Sequence, residues 1–331
     1  MRRALVAGLV IVSASLALAA ATGYRVLSDI NIGGDGGWDY LTVDAAARRL
    51  YVSHATHVVV IDIDSLAVVG DIPDTPGVHG VTLAPELNRG FVSNGRSNNV
   101  TIFDLKTLKV VGQAPTGENP DSIRYDAVSG RVFTFNGRSN NATAIDANTG
   151  RVVGTIALGG KPEFSMADGK GTVFVNIEDT SEMVAIDAAK LTVTKRYSLS
   201  PCSEPSGLAF DAKDRTLFSV CSNRMMVVSN PETGKVLATP AIGAGSDGVA
   251  FDSGTGDVLS SNGDGTVTVV RQTGGQWTVA ENIATERGAR TIAVDEKTHR
   301  AFLPTAKTMP AQGNARPAYV PDTFKVLVIG K

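Results

Sequence analysis

Short apolar runs alternate with polar, glycine-rich turns along nearly the whole chain, and the alternation itself repeats. An aromatic residue or a leucine heads one apolar run in each cycle, at Tyr51, Phe91, Phe133, Phe174, Phe218, Leu259 and Phe302, at intervals of 40 to 44 residues. A strand precedes each head and two follow: a third strand closing on Asp, such as Val58 to Asp62, and a fourth with paired valines, such as Val110-Val111-Gly112. Four short strands within a period in the low forties is the sequence mark of a β-propeller blade. Seven cycles predict an all-β, seven-bladed propeller with four antiparallel strands per blade. No stretch inside the cycles carries a sustained 3.6-residue apolar period with caps, so helices are expected to be nearly absent.

The seventh cycle runs out before its fourth strand, because the chain stops at Lys331 soon after the strand Lys325 to Ile329. An unassigned apolar segment, Tyr24 to Ile32, precedes the first cycle. Pairing it into the last blade satisfies two open edges at once, so the N-terminal strand is expected to close the ring. The connection from Pro304 to Pro321, with Pro310, Pro317 and Gly313 inside it, is expected to be an irregular loop on the channel-mouth face.

The tetrapeptides at the head of the second strands, Tyr51-Val52-Ser53-His54, Phe91-Val92-Ser93-Asn94 and Phe218-Ser219-Val220-Cys221, look like degenerate copies of a Tyr-Val-Thr-Asn repeat. In that respect the chain resembles the YncE-like (YVTN-repeat) β-propeller family over roughly Tyr24 to Lys331. The resemblance implies a bacterial, usually exported propeller. It implies little about activity, since propellers host hydrolases, lyases, electron-transfer partners and plain binding modules.

Residues 1–21 read as a signal peptide. Met1-Arg2-Arg3 is a short basic start, an apolar stretch follows, and Ala19-Ala20-Ala21 offers a small-residue cleavage site. A periplasmic or secreted location is the expectation, with residues 22–331 as one propeller domain and no transmembrane segment after cleavage. An uncleaved anchor is the alternative. The 331-residue chain carries a formal net charge of −2 and no basic stripe, which makes nucleic acid an unlikely partner. A monomer is expected. In an oxidising compartment, the two cysteines, Cys202 and Cys221, read as a disulfide within the fifth blade; neither sits in a nucleophile motif.

Candidate chemistry comes from positions where the repeat varies. Counting five residues back from the turn that ends each first strand gives Asp39, Gly80, Asp121, Glu163, Ser206, Asp247 and Arg290, an uneven ring of four acids and one arginine at the channel mouth. The fourth residues of the tetrapeptides, among them His54, Asn94, Asn136 and Asn262, are expected nearby. Loops between second and third strands, bearing Arg96 and Arg138, are expected on the same face with Trp38 and His79. Start-of-strand Asp, Ser and Gly also serve ordinary backbone turns. Unlike side chains at equivalent positions, however, make an asymmetric polar pocket, the usual form of a ligand site.

Three functions compete. The first is a non-catalytic binding or scaffold module holding a small molecule or protein at the mouth with Trp38, Asp39, His79, Arg96, Asp121, Arg138, Glu163, Asp247 and Arg290. The second is metal-assisted lactone or ester hydrolysis, with a divalent metal on Asp39, Asp121, Glu163, Asp247 and His54. The third is a lyase with His79 or His54 as general base and Arg290 or Arg138 stabilising an enolate. No complete catalytic motif is present and no cofactor is evident beyond a possible divalent metal, so binding is the first reading.

Overall fold

The computed structural model describes residues 23–310 and 318–331. Within them, 28 strands form seven four-stranded antiparallel sheets, one for each cycle. The proposed signal peptide lies outside the described residues. In each blade the first strand faces the channel and the second is buried: Arg89–Asn94, for example, has five of six residues buried. The fourth strand is the outer edge, where the paired valines Val68, Val69, Val110 and Val111 are exposed.

The heads of the second strands are buried because each packs between blades. Tyr51 joins Val58 and Val60 of blade 1 to Val92 and Phe103 of blade 2 in one apolar cluster. Close packing of such layers, rather than loop contacts, holds neighbouring sheets together. On the turn face, polar clasps add register. Arg48, Arg215 and His299, all in left-handed conformation, reach back to Asp295, Asp168 and Asp252 of the preceding blade.

Ring closure follows the expected route. Arg25–Asn31 pairs antiparallel with Lys325–Gly330 and completes the seventh blade. The long seventh-blade connection departs from expectation in two places. Pro304 lies inside the strand Arg300–Thr305, opposite Val326, and an isolated bridge joins Thr308 to Tyr319 at the base of the connection. Proline removes only one donor, and a ladder position that does not use that donor accepts it. A single 3-10 turn, Pro85–Leu87, is the helical content of the described residues. No helix among them is long and apolar enough to cross a membrane.

Cys202 and Cys221 form a disulfide with Cα atoms 5.5 Å apart. Cys221 stands opposite Pro205, where an unbroken count back along the hairpin from Asp211 and Thr216 would give Ser206. The one-residue difference comes from a bulge between Pro205 and Leu208, and that bulge recurs where the functional ring is built.

Candidate functional site at the channel mouth

The first strand of every blade from 2 to 6 opens with a register shift, between Val78 and Val81, Pro120 and Ile123, Pro162 and Ser165, Pro205 and Leu208, and Ser246 and Gly248. A bulge sets an extra residue against the ladder and re-aims its side chain. Here the first residue of each bulge is His79, Asp121, Glu163, Ser206 or Asp247. By the same register, Asp39 and Arg290 hold the equivalent places in blades 1 and 7. The ring is therefore Asp39, His79, Asp121, Glu163, Ser206, Asp247 and Arg290. Gly80 is not its second-blade member. Counting from the turn slips by one there, because the Pro85–Leu87 turn begins one residue after the pairing of Ala84 with Arg89.

Residues at the third position of the tetrapeptides brace the bulges. Ser53 Oγ accepts the Asp39 amide at 2.7 Å. Ser93 Oγ accepts the Gly80 amide at 3.0 Å and donates to the Asp121 carbonyl at 2.5 Å. Asn176 donates to the carbonyls of Ser206 and Gly207, and Ser261 donates to that of Arg290 at 2.6 Å. Each brace satisfies a backbone group at or beside a ring position. The fourth positions do not join the ring. Asn94, Asn136 and Asn262 are buried and donate to Thr101, Thr143 and Thr268 of the adjoining strand.

Charge around the ring is paired unevenly. Arg290 Nε meets Asp247 Oδ2 at 2.8 Å, its Nη2 donates to the Trp38 carbonyl, and its guanidinium lies over the Trp38 ring. Lys161 bridges Glu163, at 2.7 Å, and Glu178. Neither Lys161 nor Glu178 stands out in the sequence; the Lys161-Pro162-Glu163 run was the available signal. His79 Nδ1 lies 2.6 Å from Asp39 Oδ2 and 3.6 Å from Asp121 Oδ1. One imidazole thus serves two carboxylates.

Burial opposes a charge on His79, but Asp121 and the hydrogen bond with Asp39 outweigh it and hold the pKa up at about 9. Burial pushes Asp121 above the usual carboxylate range, with His79 pulling against it and Asp39 adding to it. Glu163 and Asp247 are also raised by burial and by a neighbouring acid, against Lys161 and Arg290 respectively. Asp121 Oδ1 has no hydrogen-bond partner although it is buried. The four carboxylates are short of cations, and the shortage is concentrated at Asp121.

His54 stands apart from this group, in contrast to its place in the expected metal set. It is buried, stacked on Phe324 with ring centroids 4.2 Å apart, and lies beside His57 and Gly34. Desolvation lowers its pKa to about 4, so it is a neutral packing residue of the blade 1 and blade 7 interface. Glu163 and Asp247 are committed to Lys161 and Arg290. Of the expected metal ligands, Asp39 and Asp121 remain, joined by His79; one ligand atom from each lies within 4.8 Å of the others. Two carboxylates and an imidazole suit manganese or zinc better than an all-oxygen calcium site. Arg96 and Arg138 are exposed on their loops, and Trp38 is buried against Tyr319 and Phe324 as the wall beneath Arg290.

The floor of the mouth is aromatic. Tyr40 and Phe164, each one residue after a ring position, meet edge to face with centroids 4.7 Å apart. Gly80, Gly207 and Gly248 hold the equivalent places in their blades. A Cβ on Gly207 would stand 2.8 Å from the Asp247 carbonyl, so glycine there lets blades 5 and 6 approach closely, and a Cβ on Gly80 would stand 3.5 Å from the Tyr40 ring. The phenol of Tyr40 is raised well above its usual range by burial and then by Asp121, Asp39, Glu163 and Asp247; all four acids look onto it.

No family model and no curated protein matches the chain. Among solved structures, a chain of Kuenenia stuttgartiensis hydrazine synthase is similar, with a TM-score of 0.69 and 14% identity over 81% of this chain and 92% of that one. At that identity the likeness supports the propeller fold alone.

Proposed function

We propose that the protein is an exported binding module, of the YncE-like kind suggested by its tetrapeptide repeats, that holds a small molecule or a partner's side chain at the channel mouth through a cationic group. The observation that carries this reading is the half-buried Asp121 carboxylate, whose Oδ1 has no hydrogen bond and only a 3.6 Å approach to the one histidine it shares with Asp39. A ligand ammonium or guanidinium would supply the missing charge, and charge-assisted hydrogen bonds are the stronger kind. Arg290, Arg96 and Arg138 could receive an acidic group of the same ligand. The disulfide supports an oxidising, periplasmic or secreted location.

Titration calorimetry with putrescine and with arginine amide tests it. Asp121→Ala combined with Asp247→Ala is expected to lower affinity tenfold or more, since a lost charge-assisted contact costs about 1.5–3 kcal/mol. Unchanged affinity, with native circular dichroism, would reduce the acids to solvated channel lining. A second reading, metal-assisted lactone or ester hydrolysis, draws on the close approach of Asp39, His79 and Asp121.

A further inference from the structure

Beneath the Tyr40 and Phe164 floor, the channel opens again into a cavity of about 260 Å³. Three residues along each first strand from the ring, its walls carry Arg124 and Met166 on one side, and Ala209, Ala250 and Ala293 in blades 5, 6 and 7. The repeat thus sets one long cationic side chain at a level where three other blades place a methyl group. The alanines clear the space into which the arginine looks.

Arg124 is held but not neutralised. Its Nε donates to the Ser165 carbonyl at 3.0 Å and its guanidinium carbon stands 5.5 Å from the Phe164 centroid. Among the described residues no carboxylate lies within ion-pair distance of it, whereas Arg48, Arg215, Arg271 and Arg290 each pair with an acid. Glu296, the acidic residue that lines the cavity, is exposed and accepts from Ser253 instead. Burial, with no opposing charge, pulls the pKa of Arg124 down to about 10. Arg124 is half-buried, and a guanidinium that faces a cavity without a counter-ion is well matched by a planar, bidentate acceptor.

We propose that this cavity is a second binding site, taking a small amphipathic carboxylate: Arg124 receives the carboxylate, and Met166, Leu208, Phe210 and Phe251 enclose an aromatic or short aliphatic body. The lining suits that chemistry, because small-molecule sites are mostly apolar with a few placed polar groups. Its volume lies just under the usual range for drug-sized ligands, which points to an acid of benzoate size. Sulfate or phosphate would find one cation, with Thr42 and Glu296 among mostly apolar side chains. The site is independent of the mouth, from which the aromatic floor divides it.

Calorimetry on the intact protein with benzoate and hexanoate, and with benzamide and hexanol as uncharged counterparts, tests the proposal. Wild-type protein is expected to bind the acids more tightly than their counterparts. Arg124→Met should weaken the acids tenfold or more and leave benzamide unaffected. Ala250→Leu, which fills the cavity, should weaken both. Arg124→Met should also keep or raise Tm in the absence of ligand, since it removes a half-buried charge that has no counter-ion; a native melt shows that lost binding is not lost fold. The Asp121→Ala, Asp247→Ala variant should bind benzoate as the wild type does. Absence of acid binding at millimolar concentration, affinity indifferent to Arg124→Met, sulfate binding as tight as benzoate, or loss of benzoate binding in the mouth variant would each overturn the proposal.

Discussion

The Tyr24 hydroxyl, just ahead of the strand that closes the ring, donates a hydrogen bond to Asp257 Oδ2 in blade 6 at 3.2 Å. Lys331, at the C-terminus, reaches the same oxygen at 3.1 Å and lies over the Tyr24 ring. Arg271 completes the cluster through two hydrogen bonds. The two segments that close the ring are therefore both tied to one carboxylate, in addition to the ladder between Arg25–Asn31 and Lys325–Gly330.

Asp257→Asn is expected to destabilise the closed ring by about 1.5–3 kcal/mol, the usual worth of a hydrogen bond to a charged group. Burial works against the Asp257 charge, but Arg271 and Lys331 hold its pKa below the usual carboxylate range. A depressed carboxylate contributes stability that is present above its unfolded pKa, near 4, and is lost as pH falls through the folded value. Urea midpoints of the wild type should therefore exceed those of Asp257→Asn at pH 7 and converge on them toward pH 3. A constant gap across that range would remove Asp257 from the closure.

The Cys202–Cys221 bridge closes a loop within blade 5, between the turn before its first strand and the end of its second. In the chain-entropy model a loop of that size contributes roughly 3 kcal/mol. Cys202→Ser with Cys221→Ser is expected to lower the urea midpoint and to raise hydrogen exchange in Pro205–Asp211 and Thr216–Cys221. Exchange in blade 1 should not change. Uniform exchange through all seven blades would mean that the bridge holds the ring as a whole.

Ser93→Ala tests the bracing of the ring. The hydroxyl accepts the Gly80 amide and donates to the Asp121 carbonyl, so its loss leaves two buried backbone groups unsatisfied at about 1–3 kcal/mol each. If the brace positions Asp121, amine affinity should fall together with stability. Lost stability with unaltered affinity would confine Ser93 to packing.

Blade number and closure were legible in the sequence because they rest on the near-continuous burial of second strands such as Arg89–Asn94, which gives short apolar runs at a fixed period, and on the missing fourth strand after Lys325. The ring was legible only where the count from the turn was undisturbed, as at Asp121 and Asp247. His79 was displaced by the Pro85–Leu87 turn, and the bulge that aims it into the channel leaves no compositional mark. His54, expected near the ring and among the metal ligands, lies apart because its strand carries it into the blade interface beside Phe324, a contact between residues 270 positions apart. Arg124 could have been found, as the one charged residue among its seven aligned equivalents.

The last prediction separates the hydrolase reading from plain ligand binding. Asp39, His79 and Asp121 place three ligand atoms within 4.8 Å, and the proton now shared between His79 and Asp39 occupies the space a cation would take. Metal binding must displace it. On the hydrolase reading, mass spectrometry after incubation with manganese or zinc and removal of excess should find one ion per chain. His79→Ala and Asp121→Ala should each reduce affinity by at least about 100-fold, since even outer partners of metal ligands are worth 10–100-fold. Gly95→Ala should act in the same direction, because a Cβ there would lie 2.6 Å from His79 Nε2 and push the imidazole aside. His54→Ala should retain the ion. Metal lost on removing His54 would move the centre to the blade interface, and no retained metal in the wild type would leave the mouth to organic cations.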